Sequence, residues 1–422
     1  MRLWRKHRVF SGGVCCRFIA AHKRGVSINR EKLLETILPL PVWDTHTHLN
    51  GNQLAARDFW EIGHYFWFLR ELLAAGYPAN YADLPENERI DAFLPAFAAT
   101  RNTAMNWVVR RIFDQLYGVT ISDAASIRRA DQLIKQRAAE ANWPARVCKQ
   151  LSIQRIVVNE PPDAEFRDLP GISSIVPRVE TQLVGWLKRL DEAIDARAIA
   201  DEVLNEVSLL LESHKKAGAG GVMTSLEAFA RIKGPTRIST GEAIAISDDP
   251  ATCDMFLLHA LCGAAEKHGL FLQFLTGIDA GWGGGRVPVN DPHRILRLYG
   301  LFERYQCTFE LVLGTELNNL DAVQAAVIFP NVHVGGMWWY NFRNSTYRDS
   351  LQYRLEALPP SNSPIVVSDA RCIEWCFGKV LLIKHLVADV LGDQVERGFL
   401  EPEDALRVAG EWLHGAAARR YR

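Results

Sequence analysis

The sequence predicts an α/β protein of the (β/α)₈ TIM-like barrel class, with a helical insertion after the first strand. The first observation is an early apolar strand, residues 37–43, which runs into the histidine pair His46 and His48. The second is a late β-branched strand, residues 363–369, which ends in a carboxylate. In a closed barrel the first and last strands are neighbours, and active sites lie at the carboxyl ends of the strands. The third is the length, since 422 residues exceed the ~250 of a bare barrel.

The elements between these two strands alternate between strand and helix. Residues 50–146 have a helical pattern, which prolines divide into short helices, and we expect this insertion to form a lobe over the barrel mouth. Strands two to seven are expected at residues 153–159, 172–178, 220–225, 270–276, 307–313 and 332–335. A helix is expected over residues 374–391, after the last strand. Such alternation predicts a parallel sheet with crossover helices.

Composition bounds the domain organisation and the partners. Residues 1–30 are basic and are expected to be a disordered extension, and residues 31–422 are expected to form one metal-dependent barrel domain. The net charge of −1 argues against nucleic acid and anionic membrane partners. No apolar run approaches the ~20 residues that span a bilayer. The eight cysteines are scattered without a C-x-x-C pair, which favours a reducing compartment and predicts a cytoplasmic protein.

His46 and His48 are candidate metal ligands. Side chains two apart on a strand point to the same face, so the two imidazoles can converge. Asp369 adds a carboxylate from the neighbouring strand of the predicted barrel. Two imidazoles and one carboxylate suit one divalent ion, and zinc is the expected metal, with manganese and iron as alternatives. The competing interpretation is a pair of strand-end histidines bonded to backbone or solvent.

Several further motifs occur in an order that resembles a known family. They are Trp60 with His64-Tyr65-Phe66-Trp67, then Val176-Pro177-Arg178, then Gly336-Met337-Trp338-Trp339-Tyr340-Asn341, and finally Ser368-Asp369-Ala370-Arg371. Together with the histidine pair, they make the chain resemble the amidohydrolase superfamily and, within it, the uronate (glucuronate) isomerases. The resemblance implies a barrel enzyme of carbohydrate metabolism. It would interconvert aldose and ketose forms of a small sugar acid, such as glucuronate and fructuronate, and we expect a homo-oligomer.

The resemblance also implies roles for individual residues. The implied catalytic residues are Asp369, Tyr65 and Arg371, where Asp369 or a Tyr65 phenol of lowered pKa would move the proton. The implied substrate-binding residues are His64, Arg178, Trp338, Trp339 and Arg371. The open alternatives are an aromatic helix face for His64 and Tyr65, ion pairs at the barrel rim for the two arginines, and a core position for at least one of the two tryptophans.

The chain departs from the family pattern at four strands, and on the third strand Val179 and Glu180 follow Arg178 where members carry an aspartate. Leu275 stands where members carry a fifth-strand histidine, and Leu275 cannot bind a metal. Met223-Thr224-Ser225 replaces the fourth-strand Asp-His pair, and Val158-Asn159-Glu160-Pro161 replaces a second-strand acidic motif. These departures keep two alternatives open. One is a metal-dependent hydrolase or decarboxylase that acts on a small carboxylate, and the other is a non-catalytic barrel.

Overall fold

The computed structural model describes residues 30–159, 169, 173–225, 250–276, 293–338 and 343–421. The strands are β1 (Val42–Thr47), β2 (Ile153–Val158), β3 (Ser173–Ile175), β4 (Gly221–Ser225), β5 (Phe271–Thr276), β6 (Phe309–Leu313) and β7 (Val332–Met337). The helices before β4 are α1 (Arg30–Ile37), α2 (Phe59–Gly63), α3 (Phe66–Ala74), α4 (Glu86–Ala99), α5 (Ala104–Tyr117), α6 (Ala124–Ala138), α7 (Trp143–Gln150), α8 (Glu180–Glu192) and α9 (Ala196–Lys216). Those after β4 are α10 (Pro250–His268), α11 (Arg294–Arg304), α12 (Asn319–Ile328), α13 (Asn344–Ala357), α14 (Ile373–Glu396), α15 (Pro402–Gly410) and α16 (Ala416–Arg420).

The seven strands are parallel and follow one another in sequence order. β1, β2 and β3 form one ladder, and β4 to β7 form a second. The two ladders are joined just after β3, because the Met223 amide donates to the Pro177 carbonyl at 2.9 Å and the Val179 amide donates to the Met223 carbonyl at 3.0 Å. β3 itself is shorter than predicted, since Pro177 has no amide hydrogen to extend a ladder.

The predicted eighth strand is an extended segment with irregular pairing beside β1. The Thr45 amide donates to the Val366 carbonyl at 2.9 Å, and the Asp369 amide donates to the His46 carbonyl at 3.0 Å. Between them, the Ser368 amide turns to a side chain and donates to Oδ1 of Asp44 at 3.0 Å. A regular ladder therefore does not form here, although the segment occupies the position expected of the last barrel strand.

The same segment packs tightly against β7 on its other side. A Cβ atom on Gly336 would lie 2.5 Å from Cγ2 of Val367 and 2.7 Å from the Ile365 carbonyl oxygen. Only glycine permits so close an approach of the two backbones. The segment thus fills the space between β7 and β1 and closes the barrel, which confirms the predicted fold class.

Helices α2 to α7 form the predicted insertion between β1 and β2, which makes up the lobe. Glu374 at the start of α14 forms hydrogen bonds with this lobe. The buried Glu374 carboxylate accepts hydrogen bonds from the Ala56 amide at 2.9 Å, the Tyr117 hydroxyl at 2.8 Å and the Trp143 indole at 2.8 Å. All three donors come from the segment between β1 and β2. The buried Glu374 carboxylate therefore links the lobe to α14 at three positions.

Tyr421, the last described residue, packs into the end of the barrel opposite the lobe. The Tyr421 ring lies against the rings of Trp43 and Phe271, with centroid separations of 5.9 and 4.7 Å. Both partners stand near the amino ends of their strands, so this end is the barrel floor. Within the described ranges, no helix combines the length and apolar character needed to cross a membrane. The cysteines in those ranges are all free thiols.

Candidate metal centre

Two histidines and an aspartate converge where β1 meets the closing segment. His46 is fully buried in β1, and His48 lies just beyond the end of that strand. Nε2 of His48 lies 3.1 Å from Oδ1 of Asp369, and Nε2 of His46 lies 3.6 Å from the same oxygen. One ligand atom from each residue falls within 4.8 Å of the others. The structure therefore brings together all three residues that the sequence predicted as metal ligands.

The buried Nε2 atom of His46 tests whether these residues fit a metal. This atom has no hydrogen-bond partner among the residues that the structure describes, and it points at the carboxylate. An unsatisfied buried polar atom is costly, and a bound cation would satisfy it. Burial lowers the pKa of His46, so the imidazole is neutral and has a lone pair to donate. The donor set fits a divalent ion with open coordination positions.

The Asp369 carboxylate is held in its ionised form. Burial acts to raise its pKa, but the neighbouring imidazoles of His46 and His48 outweigh burial and hold the pKa well below its usual value. The Trp67 indole donates to the other oxygen, Oδ2, at 3.1 Å. Asp369 has a φ of +52°, a left-handed conformation that aspartate and asparagine adopt more readily than most residues.

Tyr65 and Lys379 support Asp369 from inside the protein. The Tyr65 hydroxyl donates to the Asp369 carbonyl oxygen at 2.8 Å, and Nζ of Lys379 donates to that hydroxyl at 2.6 Å. Burial, with Asp369 nearby, raises the pKa of Tyr65 well above its usual value, so the expected lowering of this pKa is wrong. Burial also lowers the pKa of Lys379 to about 8. Tyr65 is therefore a protonated donor that orients Asp369.

A cavity of about 260 Å³ opens beside the three candidate ligands. Its lining residues come from the barrel strand ends and the lobe, and they are His48, Phe66, Trp67, Arg178, Glu180, Ser225, Leu275, Trp338, Asp369 and Arg371. Arg178, Arg371 and Trp338, three of the residues predicted to bind a substrate, thus line the same cavity. Leu275 faces the same space, so an apolar side chain replaces the histidine expected from the family pattern. The size suits a small molecule.

Arg178 forms the ion pair at the barrel rim that was one of its two interpretations. It lines the cavity and also forms an ion pair with Glu180, two residues later. The Glu180 carboxylate in turn accepts a hydrogen bond from the Ser225 amide at 2.6 Å. The guanidinium is thereby held at the barrel rim, facing the cavity, where a substrate carboxylate could compete with Glu180 for its donors.

The structure does not bring His64 into this cavity. Its Nε2 atom lies 2.9 Å from the Tyr77 hydroxyl, and its ring stacks on Trp60 with a centroid separation of 4.6 Å. His64 thus belongs to the aromatic core of the lobe, the alternative left open by the sequence. Trp339, the remaining predicted substrate-binding residue, lies outside the described residues.

The burial of His64 has a consequence for acid stability. Burial, with Arg89 nearby, lowers its pKa to about 4. The unfolded chain takes up this proton below about pH 6.5, whereas the folded protein does not until about pH 4, so stability falls as pH decreases through this window. We expect H64Q to remove about 2 kcal/mol of the loss between pH 7 and 4.5, measured by urea denaturation. Parallel pH dependences in the two proteins would contradict this.

Three polar residues near the site were not assigned a role from the sequence. They are Trp67 and Lys379, described above, and Gln273, whose Oε1 lies 3.3 Å from Nδ1 of His46. A signal was present for two of them. Lys379 interrupts the uncharged run at residues 375–383 of α14, and Gln273 is the one polar residue in the middle of the apolar strand β5.

Comparisons with known proteins place this geometry in a structural group. No protein-family model matches the sequence, and no curated protein is similar enough in sequence to be matched. Among solved structures, uronate isomerase from Thermotoga maritima superposes with a TM-score of 0.74 at 14% identity, over 93% of this chain and 97% of that chain. Glucuronate isomerase from Caulobacter crescentus gives 0.74 at 14% identity, over 93% of both chains. A Lactobacillus casei protein provisionally assigned as a metal-dependent hydrolase gives 0.59 at 14% identity, over 92% and 97%.

These superpositions extend over nearly the whole chain, including the segment between β1 and β2. The sequence identities are low, so the similarity concerns the course of the backbone. At that level, the resemblance expected from the sequence motifs is confirmed. The chain therefore has the (β/α)₈ barrel fold of the uronate isomerases.

Proposed function

We propose that this chain is a metal-dependent enzyme of the uronate isomerase type. It would interconvert aldose and ketose forms of a small sugar acid, such as glucuronate and fructuronate. The observation that carries the proposal is one small cavity in which the candidate ligands His48 and Asp369 face the guanidinium groups of Arg178 and Arg371. A site for cation binding thus lies beside two groups suited to a carboxylate.

The two arginines would bind and orient the sugar acid. A guanidinium presents paired donors in a plane, which matches the two oxygens of a carboxylate. Arg371 is exposed at the cavity mouth, and Arg178 is held at the rim by Glu180. Trp338 supplies a buried aromatic wall on the same cavity, and such a face can pack against a sugar ring. These contacts would fix which carbon of the substrate approaches Asp369.

Asp369 is the residue best placed to move the proton. Isomerisation removes a proton from C2 of the aldose and returns it to C1, while the O2 hydroxyl proton passes to O1 and the carbonyl moves from C1 to C2. A base for this step must be ionised and within reach of the carbon, and Asp369 is ionised and lines the cavity. Trp67 holds the carboxylate by donating a hydrogen bond to it, and Tyr65 donates to the backbone carbonyl oxygen of the same residue. A divalent ion held by His46, His48 and Asp369, with zinc as the expected metal, would act as a Lewis acid toward the substrate oxygens.

The proposal predicts exchange of the C2 proton with solvent. We expect metal-replete protein to incorporate deuterium at C2 of at least one member of a panel of uronates in D₂O, as followed by proton NMR. R371M should bind the same substrate at least tenfold more weakly, because the bidentate contact to its carboxylate is lost. R397M, which changes an arginine at the end of α14, is the matched control and should leave the exchange rate unchanged.

Other results would redirect the proposal. Incorporation of ¹⁸O from labelled water, without exchange at C2, would favour the hydrolase alternative, for which the similarity to the Lactobacillus casei protein is the supporting observation. Loss of CO₂ would indicate a decarboxylase. Absence of every reaction across metals and uronates, with a sugar acid still raising the melting temperature, would contradict the enzyme and leave a binding barrel.

A further inference from the structure

A chain of buried polar groups crosses the barrel beneath the candidate metal centre. Gln273 of β5 and Glu310 of β6 point into the barrel, and both are fully buried. Nε2 of Gln273 donates to the Thr45 carbonyl oxygen at 3.0 Å and to Oε1 of Glu310 at 3.1 Å. A carbonyl oxygen and a carboxylate oxygen only accept hydrogen bonds. The NH₂ group of Gln273 must therefore face them, which fixes the orientation of its amide.

The fixed amide decides which nitrogen of His46 carries the proton. With its NH₂ group turned toward Thr45 and Glu310, Gln273 presents Oε1 to Nδ1 of His46 at 3.3 Å. An amide oxygen only accepts, so Nδ1 must be the protonated nitrogen of the neutral imidazole. Nε2, which points at Asp369, then keeps its lone pair. This is the tautomer that a metal ligand requires at that position.

Arg420 and Tyr421, at the end of the described chain, contact Glu310 and Gln273 from the floor of the barrel. The Tyr421 hydroxyl lies 2.9 Å from Oε1 of Glu310, to which it donates, and 2.9 Å from Nε2 of Gln273. Nη1 of Arg420 donates to Oε2 of Glu310 at 2.9 Å, and only 7% of the Arg420 side chain is exposed. These contacts determine where the Glu310 carboxylate stands, and Glu310 in turn determines which way the Gln273 amide points.

We propose that Arg420 and Tyr421 are positioning residues for the candidate metal centre. They hold Glu310 and Gln273 so that His46 presents an unprotonated Nε2 to the metal. Groups that orient a ligating histidine commonly change metal affinity by about 10- to 100-fold when they are removed. The inference rests on the metal binding of the proposed function, but the tautomer of His46 is a property of the metal-free protein.

The test compares two tyrosine variants that lose chemically similar hydrogen bonds. Y421F removes the hydroxyl that donates to Glu310, and its ring can still pack on Trp43 and Phe271. Y117F removes an equally buried hydroxyl, which donates to Glu374 in the lobe at 2.8 Å, and serves as the control. In metal-free protein with ¹⁵N-labelled histidine rings, we expect wild type and Y117F to show His46 as the single Nδ1–H tautomer. Y421F should show a mixture, with His46 signals identified from their loss in H46Q.

Metal affinity is the second measurement, by chelator competition with Zn²⁺. We expect Y421F to bind Zn²⁺ about tenfold more weakly than wild type, and Y117F to match wild type. If Y421F does not fold, Q273M removes the acceptor for Nδ1 directly and should weaken binding by 10- to 100-fold. An unchanged tautomer and an unchanged affinity in Y421F would overturn the positioning role. Failure of wild type to bind metal would instead overturn the proposed function, while the tautomer would still decide the inference.

Discussion

Replacement of Asp369 by asparagine is expected to remove the metal and the activity together. The substitution keeps the shape of the side chain and a residue type that tolerates the left-handed backbone at this position. It removes the negative charge that His46 and His48 face at 3.6 and 3.1 Å. We expect bound metal to fall from near one equivalent per chain to below about a tenth, because a neutral amide is a far weaker ligand than a carboxylate.

The measurement is metal content by plasma mass spectrometry on protein purified without a His-tag. D91N is the matched control, because Asp91 is an exposed aspartate on α4 of the lobe. It should retain the wild-type metal content. Deuterium exchange at C2 of the substrate should fall at least 10³-fold in D369N, since the variant loses both a metal ligand and the proposed base. A D369N protein with full metal content would show that the ion is bound elsewhere.

The second large effect is expected at Glu374, in stability. Its carboxylate accepts hydrogen bonds from Ala56, Tyr117 and Trp143, so E374A leaves three buried donors without an acceptor. Each unsatisfied buried donor costs about 1 to 3 kcal/mol. We expect the free energy of unfolding to decrease by about 4 kcal/mol, measured by urea denaturation of the metal-free protein.

Glu396 at the other end of α14 provides the control for this prediction. It is half exposed and pairs with Arg30 at 3.3 Å, so E396A should change the free energy of unfolding by less than about 1 kcal/mol. Because Glu374 joins the lobe to the barrel, E374A should also make tryptophans of the lobe accessible to quenchers before global unfolding. A loss no larger than that of E396A would mean that water satisfies the three donors.

The sequence predicted the parts of this structure that depend on local patterns. Alternation of apolar runs located the strands, and the spacing of His46 and His48 placed both on one face. The predicted eighth strand is an element whose conformation local sequence patterns do not determine. Its composition is that of a strand, yet Ser368 donates to the Asp44 side chain, and Asp369 turns into a left-handed conformation. Such competition between side chain and backbone depends on neighbours distant in sequence.

The sequence predicted the candidate site residues that lie at the ends of strands. It did not predict the residues that contact those side chains from other elements. His64 and Tyr65 are adjacent in sequence, but one packs into the lobe and the other reaches Asp369. No local sequence pattern distinguishes the buried position of His64 in the lobe from the position of Tyr65 beside Asp369. Lys379 reaches the site through Tyr65, and Gln273 reaches it through His46. A polar residue within a buried apolar element was a visible signal for both, since burial without a partner is costly.

The closing segment between β7 and β1 also has a consequence for biosynthesis. β1 is made early, but its partner residues, among them Val366 and Asp369, are more than 300 positions later. At about 5 to 20 residues per second, the ribosome needs on the order of half a minute to connect them. Until then, His46 and His48 have no carboxylate beside them, and the growing chain cannot assemble the three-residue centre. The proposed capture of a metal ion is therefore a late event, and the metal supply after translation would set the fraction of loaded protein.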